Sequence, residues 1–309
     1  MSDTESAAAG DVPLDLAGTD EVVARLINGQ RRAIEAVVAG AAALSGAVTA
    51  AAERLGAGAG AGEGAGAGAG RLVLVGAGAS GRLCVQDGAE LWPTFGWPAE
   101  RLLLVMAGGE AALLHSVEGV EDDAAQAIEA VRAHGIGPDD VVLAVAASGR
   151  SPWTVGWLRE ARERGALSIG MASNPDTPLL QAAEHPVLLH TGAEVLAGST
   201  RLGAGTAQKA ALNTFSTALM VRLNRTHDGL MVDMAAVNAK LDRRRLAMLR
   251  QLVPDADEAA ASAALVEADG WVKLAVLVLA GDSVEVGRRR LDACHGSLRA
   301  ALAMPRDEQ

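Results

Sequence analysis

The chain has 309 residues, half of them hydrophobic, and a formal net charge of −11. That length supports one large or two modest domains with a sizeable core, and an acidic balance with no basic block argues against nucleic acid and anionic membrane surfaces as partners. Five Trp, two Phe and no Tyr leave Ala, Val and Leu to fill the interior, while Cys84 and Cys294 lie far apart, form no metal or redox motif and read as reduced thiols.

The N-terminus, MSDTESAAAGDVPLD, is acidic and polar, unlike a secretory signal. No apolar run approaches the roughly 20 residues that span a bilayer, so the expectation is a soluble cytoplasmic protein. Residues 1–19 read as a disordered tail. Residues 20–55 read as helical, with Val22, Leu26, Ile34 and Val38 near one face. Residues 56–70, GAGAGAGEGAGAGAG, are low in complexity. Glycine is entropically costly to order, so this stretch reads as a flexible linker.

An alternation follows. RLVLV, RLLLVMA, DVVLAVAAS, ALSIGMAS and HPVLLHT read as short apolar strands, with helical stretches from Ser80, through Glu129–Ala133 and in PWTVGWLREARERG. Continuous apolar strands separated by helices imply a parallel sheet covered on both faces. A long helical stretch, Thr200–Arg222, comes next. After Asp233 the pattern is helical throughout, with Ala235–Leu252 as one helix and ADEAAASAALVEA, WVKLAVLVLA, SVEVGRRRLDACH and SLRAALA as shorter ones.

Three strand-to-helix junctions share one chemistry. GAGASG at 76–81 is a literal G-x-G-x-x-G after an apolar run, ASGRSP at 147–152 follows another, and GSTRLGAGT at 198–206 precedes the long helix. Free N–H groups at a helix start, small hydroxyls and the helix dipole together suit a phosphate. In a parallel sheet such loops gather at the carboxyl ends of the strands, where ligands bind. Each loop taken alone is equally well a helix cap. A dinucleotide site also wants an acidic residue at the tip of the second strand. Here RLLLVMAGG ends in glycines, so the phosphate reads as a sugar's.

The blocks GAGASGR, DGAELWPTFGWP, AGGEAALLHSVEGVEDD, AASGRSPW, GAEVLAGSTRLGAGTAQK and LMVDMAAVNAKL resemble the N-acetylmuramic acid 6-phosphate etherases of the sugar isomerase (SIS) superfamily. The resemblance runs from about Leu16 to the C-terminus. It implies an α/β fold: a five-stranded parallel αβα sandwich, the SIS fold, over 71–233, with N-terminal helices and a small C-terminal helical region over 234–309, usually as a homodimer. It also implies removal of a D-lactyl ether by elimination and hydration, with no metal or cofactor. The glucokinase regulatory proteins, relatives that bind sugar phosphates without turnover, supply the alternative reading.

Motif by motif, the resemblance puts the catalytic acid on Glu90 in DGAEL and the candidate base on Glu121 in EGVED. By composition alone Glu90 would be a solvated helix-surface carboxylate, and Glu118, Asp122 and Asp123 stand equal to Glu121. Phosphate contacts fall on Ser80, Ser148 and Ser151 with the loop glycines Gly78, Gly81 and Gly149, and Ser199 and Thr200 support the sugar or the loops. Arg82 and Arg150 read as charge partners or as surface salt bridges, with Lys209 a third cation. His115, His134, His185, His190 and His227 show no metal-ligand spacing. The chain departs from the family at Ala79 (Thr there), Gly203 (Lys), Gly229 (Asn) and Trp92 (Pro), and the loss of the Lys would remove a cation suited to phosphate or to an enolate-like intermediate.

Overall fold

The computed structural model describes residues 3–6, 12–56, 70–235 and 238–305. The five apolar runs form five parallel strands: β1 (Leu72–Gly76), β2 (Leu102–Met106), β3 (Val141–Val145), β4 (Leu167–Ala172) and β5 (His185–Leu188). Their spatial order is β2-β1-β3-β4-β5. Leu72 pairs with Leu102 on one side and Val141 on the other. The chain therefore steps from β1 out to the edge and back to β3, which makes the gap between β1 and β3 the point where the winding reverses. In open α/β sheets that is where ligands bind.

Every residue of β1, β3 and β4 is buried, which explains why these runs are continuously apolar. The connecting helices are α3 (Gly78–Ala89), α4 (Leu91–Phe95), α5 (Ala111–Leu114), α6 (Ala124–Ala133), α7 (Pro152–Glu163) and α8 (Pro178–Ala182). Val73, Val75, Val142 and Ala144 share one core cluster with Trp153 and Trp157 of α7. With so few aromatics, these two indoles fill volume that small aliphatic side chains leave.

The N-terminal helical segment is two helices, α1 (Thr19–Ala39) and α2 (Ala41–Gly56), bent by 57° at Gly40. A Cβ at Gly40 would stand 2.9 Å from the Leu188 carbonyl oxygen, so glycine there permits a close backbone approach. Among the described residues no single helix is long and apolar enough to cross a membrane, although this bent pair passes that test by length and composition. The expected apolar face of α1 is corrected. Ala33 and Ala36 are the buried residues, whereas Ile34 and Val38 are exposed together with Val23 and Ile27. The tail is also partly ordered: Asp3–Glu5 and Leu14–Leu16 form single 3-10 turns, and Thr4 is buried against Asn174 through two hydrogen bonds. Residues 57–69 of the expected linker lie outside the described residues.

Past the sheet run α9 (Gly203–Arg222), α10 (Ala239–Leu252), α11 (Glu258–Glu267), α12 (Val272–Leu279), α13 (Val284–Ala293) and α14 (Leu298–Ala303). The helix expected from Ala235 starts instead at Ala239, because the Asn238 side chain accepts the Leu241 N–H at 3.1 Å and caps it.

The described residues divide into two compact units, and the division differs from the expected domains. The sheet unit takes those of Met1–Arg54, Gly70–Ala89 and Leu102–Thr217; the helical unit takes those of Leu55–Ala69, Glu90–Arg101 and Ala218–Gln309. The segment Glu90–Arg101 thus belongs with the C-terminal helices although it lies in sequence between α3 and β2. In the helical unit, Leu249, Leu274, Leu277, Leu291 and Leu298 form the core.

Candidate functional site

The β1–α3 loop is built on backbone contact. A Cβ at Gly76 would lie 2.8 Å from the Gly81 nitrogen, and one at Gly81 would lie 2.7 Å from the Gly76 oxygen. Strand end and helix start meet with no room for a side chain. Gly78 has φ +53, a conformation glycine adopts at no steric cost. The N–H groups of Gly78, Ala79 and Ser80 have no acceptor among the described residues, and the first bonded one is Gly81, to the Ala77 oxygen. Three open donors at a helix N-terminus are what an anion requires.

Ser80 is buried, and its hydroxyl donates to Gln208 Oε1 at 2.9 Å. Two turns further along α3, the buried Asp87 accepts from Asn213 Nδ2 and from Lys209 Nζ at 3.5 Å, both on α9. Lys209, expected as a cation for substrate, is therefore held by a carboxylate and remains one-third exposed. Gln208, Asp87 and Asn213 were not singled out by sequence reasoning. For Asp87 a signal existed, since Ser80, Cys84, Asp87 and Gly88 share the buried, small-residue face of α3 at helical spacing.

The β3–α7 loop joins two of the predicted elements. Gly149 has φ +65, and a Cβ there would meet Thr177 Oγ1 at 2.3 Å. Ser148 Oγ accepts the Arg150 N–H at 3.2 Å. Ser151 caps α7, accepting from the Thr154 N–H, and Pro152 occupies the first turn as expected. The Ser151 hydroxyl also donates to the Glu121 carbonyl oxygen at 3.2 Å, and the Trp153 N–H donates to that same oxygen at 2.9 Å. The exposed Glu121 is thereby tied by its backbone to the first turn of α7. Of its competitors, Asp123 is occupied as the cap of α6, accepting from the Gln126 N–H at 2.9 Å, while Glu118 and Asp122 make no side-chain bond among the described residues.

The third junction differs from the other two. Glu194 is buried, and its carboxylate accepts the Gly203 and Ala204 N–H groups, each at 2.8 Å. The N-terminus of α9 thus already holds an anion, one supplied by the chain. A Cβ at Gly203 would stand 3.0 Å from Glu194 Oε2, so the departure at Gly203 sits against this carboxylate. Ser199 and Thr200 are half-buried in the turn that precedes α9, and their hydroxyls make no bond among the described residues. Glu194 was missed because nothing in the local pattern of an apolar, Gly-rich loop marks a carboxylate that folds back over nine residues.

Arg82 is employed structurally, donating to the carbonyl oxygens of Leu113 and His115 at 3.1 Å each. Arg150 is exposed and makes no ion pair among the described residues. Glu90 lies in the helical unit, exposed, immediately before α4. Gly229 has φ +77. Asn is the side-chain-bearing residue that most readily adopts such a conformation, so Gly and Asn are interchangeable there on backbone grounds. Among the described residues no group of three or more His, Cys, Asp or Glu could hold a metal ion.

Residues 61–162 match the family model of the glucokinase regulatory protein N-terminal SIS domain, and residues 114–218 match that of the SIS domain. An N-acetylmuramic acid 6-phosphate etherase from Deinococcus radiodurans is 47% identical over 300 residues, covering 97% of this chain and 94% of that protein. One from Rubrobacter xylanophilus is 43% identical, covering 97% and 95%. Among solved structures, a phosphoheptose isomerase from Francisella tularensis is similar at a TM-score of 0.44 and 18% identity, over 68% of this chain and all of that one.

Proposed function

The chain belongs to the N-acetylmuramic acid 6-phosphate etherase family, and from that premise we propose how its residues share the reaction. It is a carbon–oxygen lyase. It removes the D-lactyl ether of N-acetylmuramic acid 6-phosphate to give N-acetylglucosamine 6-phosphate and D-lactate, a step in recycling cell-wall amino sugars.

In the open-chain aldehyde the carbonyl acidifies the C2 hydrogen. Glu121 takes that proton, Glu90 protonates the lactyl oxygen as it leaves C3, and water adds to the unsaturated aldehyde. The chemistry needs one carboxyl ionised and the other protonated. The observation that carries the assignment of Glu121 is the pair of hydrogen bonds its carbonyl takes from Ser151 and Trp153, which tie it to a loop suited to phosphate. The phosphate falls to the open N–H groups of Gly78, Ala79 and Ser80 and to the hydroxyls of Ser148 and Ser151, with Gly81 and Gly149 allowing the close approach. Ser199 and Thr200 border the sugar.

The working form is a cytoplasmic homodimer. The stretch 210–221 of α9 does not require a partner copy, because Ala211, Leu212, Phe215, Leu219 and Met220 are buried within the chain. What supports the dimer is the stripe Val23, Ile27, Ile34 and Val38 on α1, exposed by 46–70% and aligned at helical spacing. A monomer by light scattering at micromolar concentration would refute it.

The roles of the two glutamates separate in deuterium oxide. Glu121→Gln should abolish both lactate release and exchange of the C2 proton. Glu90→Gln should keep exchange while C3–O cleavage slows by about 10²-fold or more, the scale of a lost general acid. Exchange lost in Glu90→Gln and kept in Glu121→Gln would reverse the roles, and normal lactate release by both variants would remove these residues from the mechanism.

A further inference from the structure

A cavity of about 510 Å³ lies wholly within the helical unit, between residues of Glu90–Arg101 and residues after Ala218. That volume is in the range of small-ligand sites. None of its lining residues is assigned above to the etherase reaction.

Two indoles wall the cavity. Trp92 is 42% exposed. Trp271 is fixed by its Nε1–H, which donates to Asp233 Oδ1 at 2.9 Å. Asp233 also takes Lys273 Nζ at 2.6 Å and lies 3.7 Å from Arg225, so its charge is neutralised within the wall.

Two other lining cations are not neutralised. Arg245 and Arg288 have no carboxylate partner among the described residues. Arg245 donates one N–H to the Met234 carbonyl at 3.2 Å, but its Nε is buried with no acceptor. Its guanidinium packs on Gly270, where a Cβ would stand 2.5 Å away. Arg288 lies over the Trp271 ring, 5.9 Å from the centroid. The cavity thus offers charged donors that lack an anion beside flat apolar surfaces.

We propose that this cavity is a second ligand site, one that takes an anionic monosaccharide. The planar forks of Arg245 and Arg288 suit a phosphate or a carboxylate. The apolar face of a sugar ring stacks on indole, whose amphipathic ring favours such mixed contacts. Glu100 and Asp269, which also line the cavity, accept from ring hydroxyls, which an aromatic acid would not supply. The inference is independent of the roles given to Glu90 and Glu121.

Fluorescence tests it directly. Trp97, Trp153 and Trp157 are at most 2% exposed, so iodide quenching of the full chain reads Trp92 and Trp271. N-acetylglucosamine 6-phosphate or glucuronate should protect against iodide, and neutral N-acetylglucosamine should not. Protection by only one of the two anions identifies the acidic group. Protection should persist in Ser148→Ala/Ser151→Ala. In Arg245→Gln/Arg288→Gln the half-saturating concentration should rise about tenfold or more, the scale of a lost charge-assisted hydrogen bond. Arg288→Gln alone, at an exposed position, should weaken protection in the same direction if the double variant fails to fold. Absence of protection by either anion, equal protection by the neutral sugar, unchanged protection in the folded arginine variants, or loss of protection in the serine variant would overturn the proposal.

Discussion

Replacing Glu194 by alanine removes the acceptor of the first two N–H groups of α9. Both bonds are 2.8 Å long and the carboxylate is 3% exposed. Hydrogen bonds to a charged group contribute about 1.5–3 kcal/mol each, and water admitted to the vacated space restores part of that. The expected cost is about 2–4 kcal/mol. A chain with two units is not a safe two-state system, so the measurement should be local. Amide exchange over residues 199–206, followed by mass spectrometry or NMR, should quicken by about 30- to 1,000-fold if opening there is local. The emptied helix terminus also becomes an anion site. Sulfate or phosphate should therefore slow exchange in the variant and leave the wild type unchanged. Exchange within about twofold of wild type, or an equal sulfate response in both proteins, would refute the reasoning.

Gly149→Ala should raise KM for the sugar phosphate more than it lowers kcat, because a methyl 2.3 Å from Thr177 Oγ1 in a φ +65 conformation must displace the loop; strain and overpacking together come to about 2–4 kcal/mol, read in thermal melts. Burial, reinforced by the nearby Asp87 charge, pushes the Cys84 thiol far above its ordinary range, so a thiol reagent at pH 8 should titrate Cys294 in the native protein and reach Cys84 only on denaturation. Burial opposes the charge on Asp140, but the Arg71 guanidinium and the N–H groups of Arg71 and Gly137 outweigh it and hold the carboxyl below its ordinary range. A folded value below the unfolded one gives stability that is complete above about pH 4 and lost as pH falls through the depressed value. Asp140→Asn should thus be less stable than wild type at pH 7, with the difference shrinking on acidification; a constant gap in denaturation midpoints would contradict it.

The sheet was legible because burial on both faces leaves an uninterrupted apolar run, and β1, β3 and β4 are buried at every position. Two of the three strand-to-helix turns were legible as turns because Gly supplies the positive φ at Gly78 and Gly149 and Ser151 caps the helix that follows. At the third, composition cannot say whether a helix terminus is open or already capped, and Glu194 caps it from nine residues away. The small charged network around Asp87 depends on contacts across 122 and 126 residues, a distance no local pattern encodes. The face of α1 was misassigned because its large aliphatics were assumed to be inside. The alanines are buried instead, since small side chains let a helix approach closely.

The passage of Glu90–Arg101 into the helical unit sets a schedule for biosynthesis. The Gly96 carbonyl receives its hydrogen bond from Arg225, 129 residues later in the chain, and the same guanidinium lies 5.7 Å from the Trp97 ring. At about 5–20 residues per second, that partner leaves the ribosome roughly 6–26 s after its acceptor. Leu91, Phe95 and Trp97, all buried in the finished protein, must wait through that interval as an exposed apolar segment, the kind that chaperones retain. Truncation after Thr217 would make the wait permanent. A soluble sheet unit would also need residues 90–101 cut out and Ala89 spliced to Leu102 through a short polar turn.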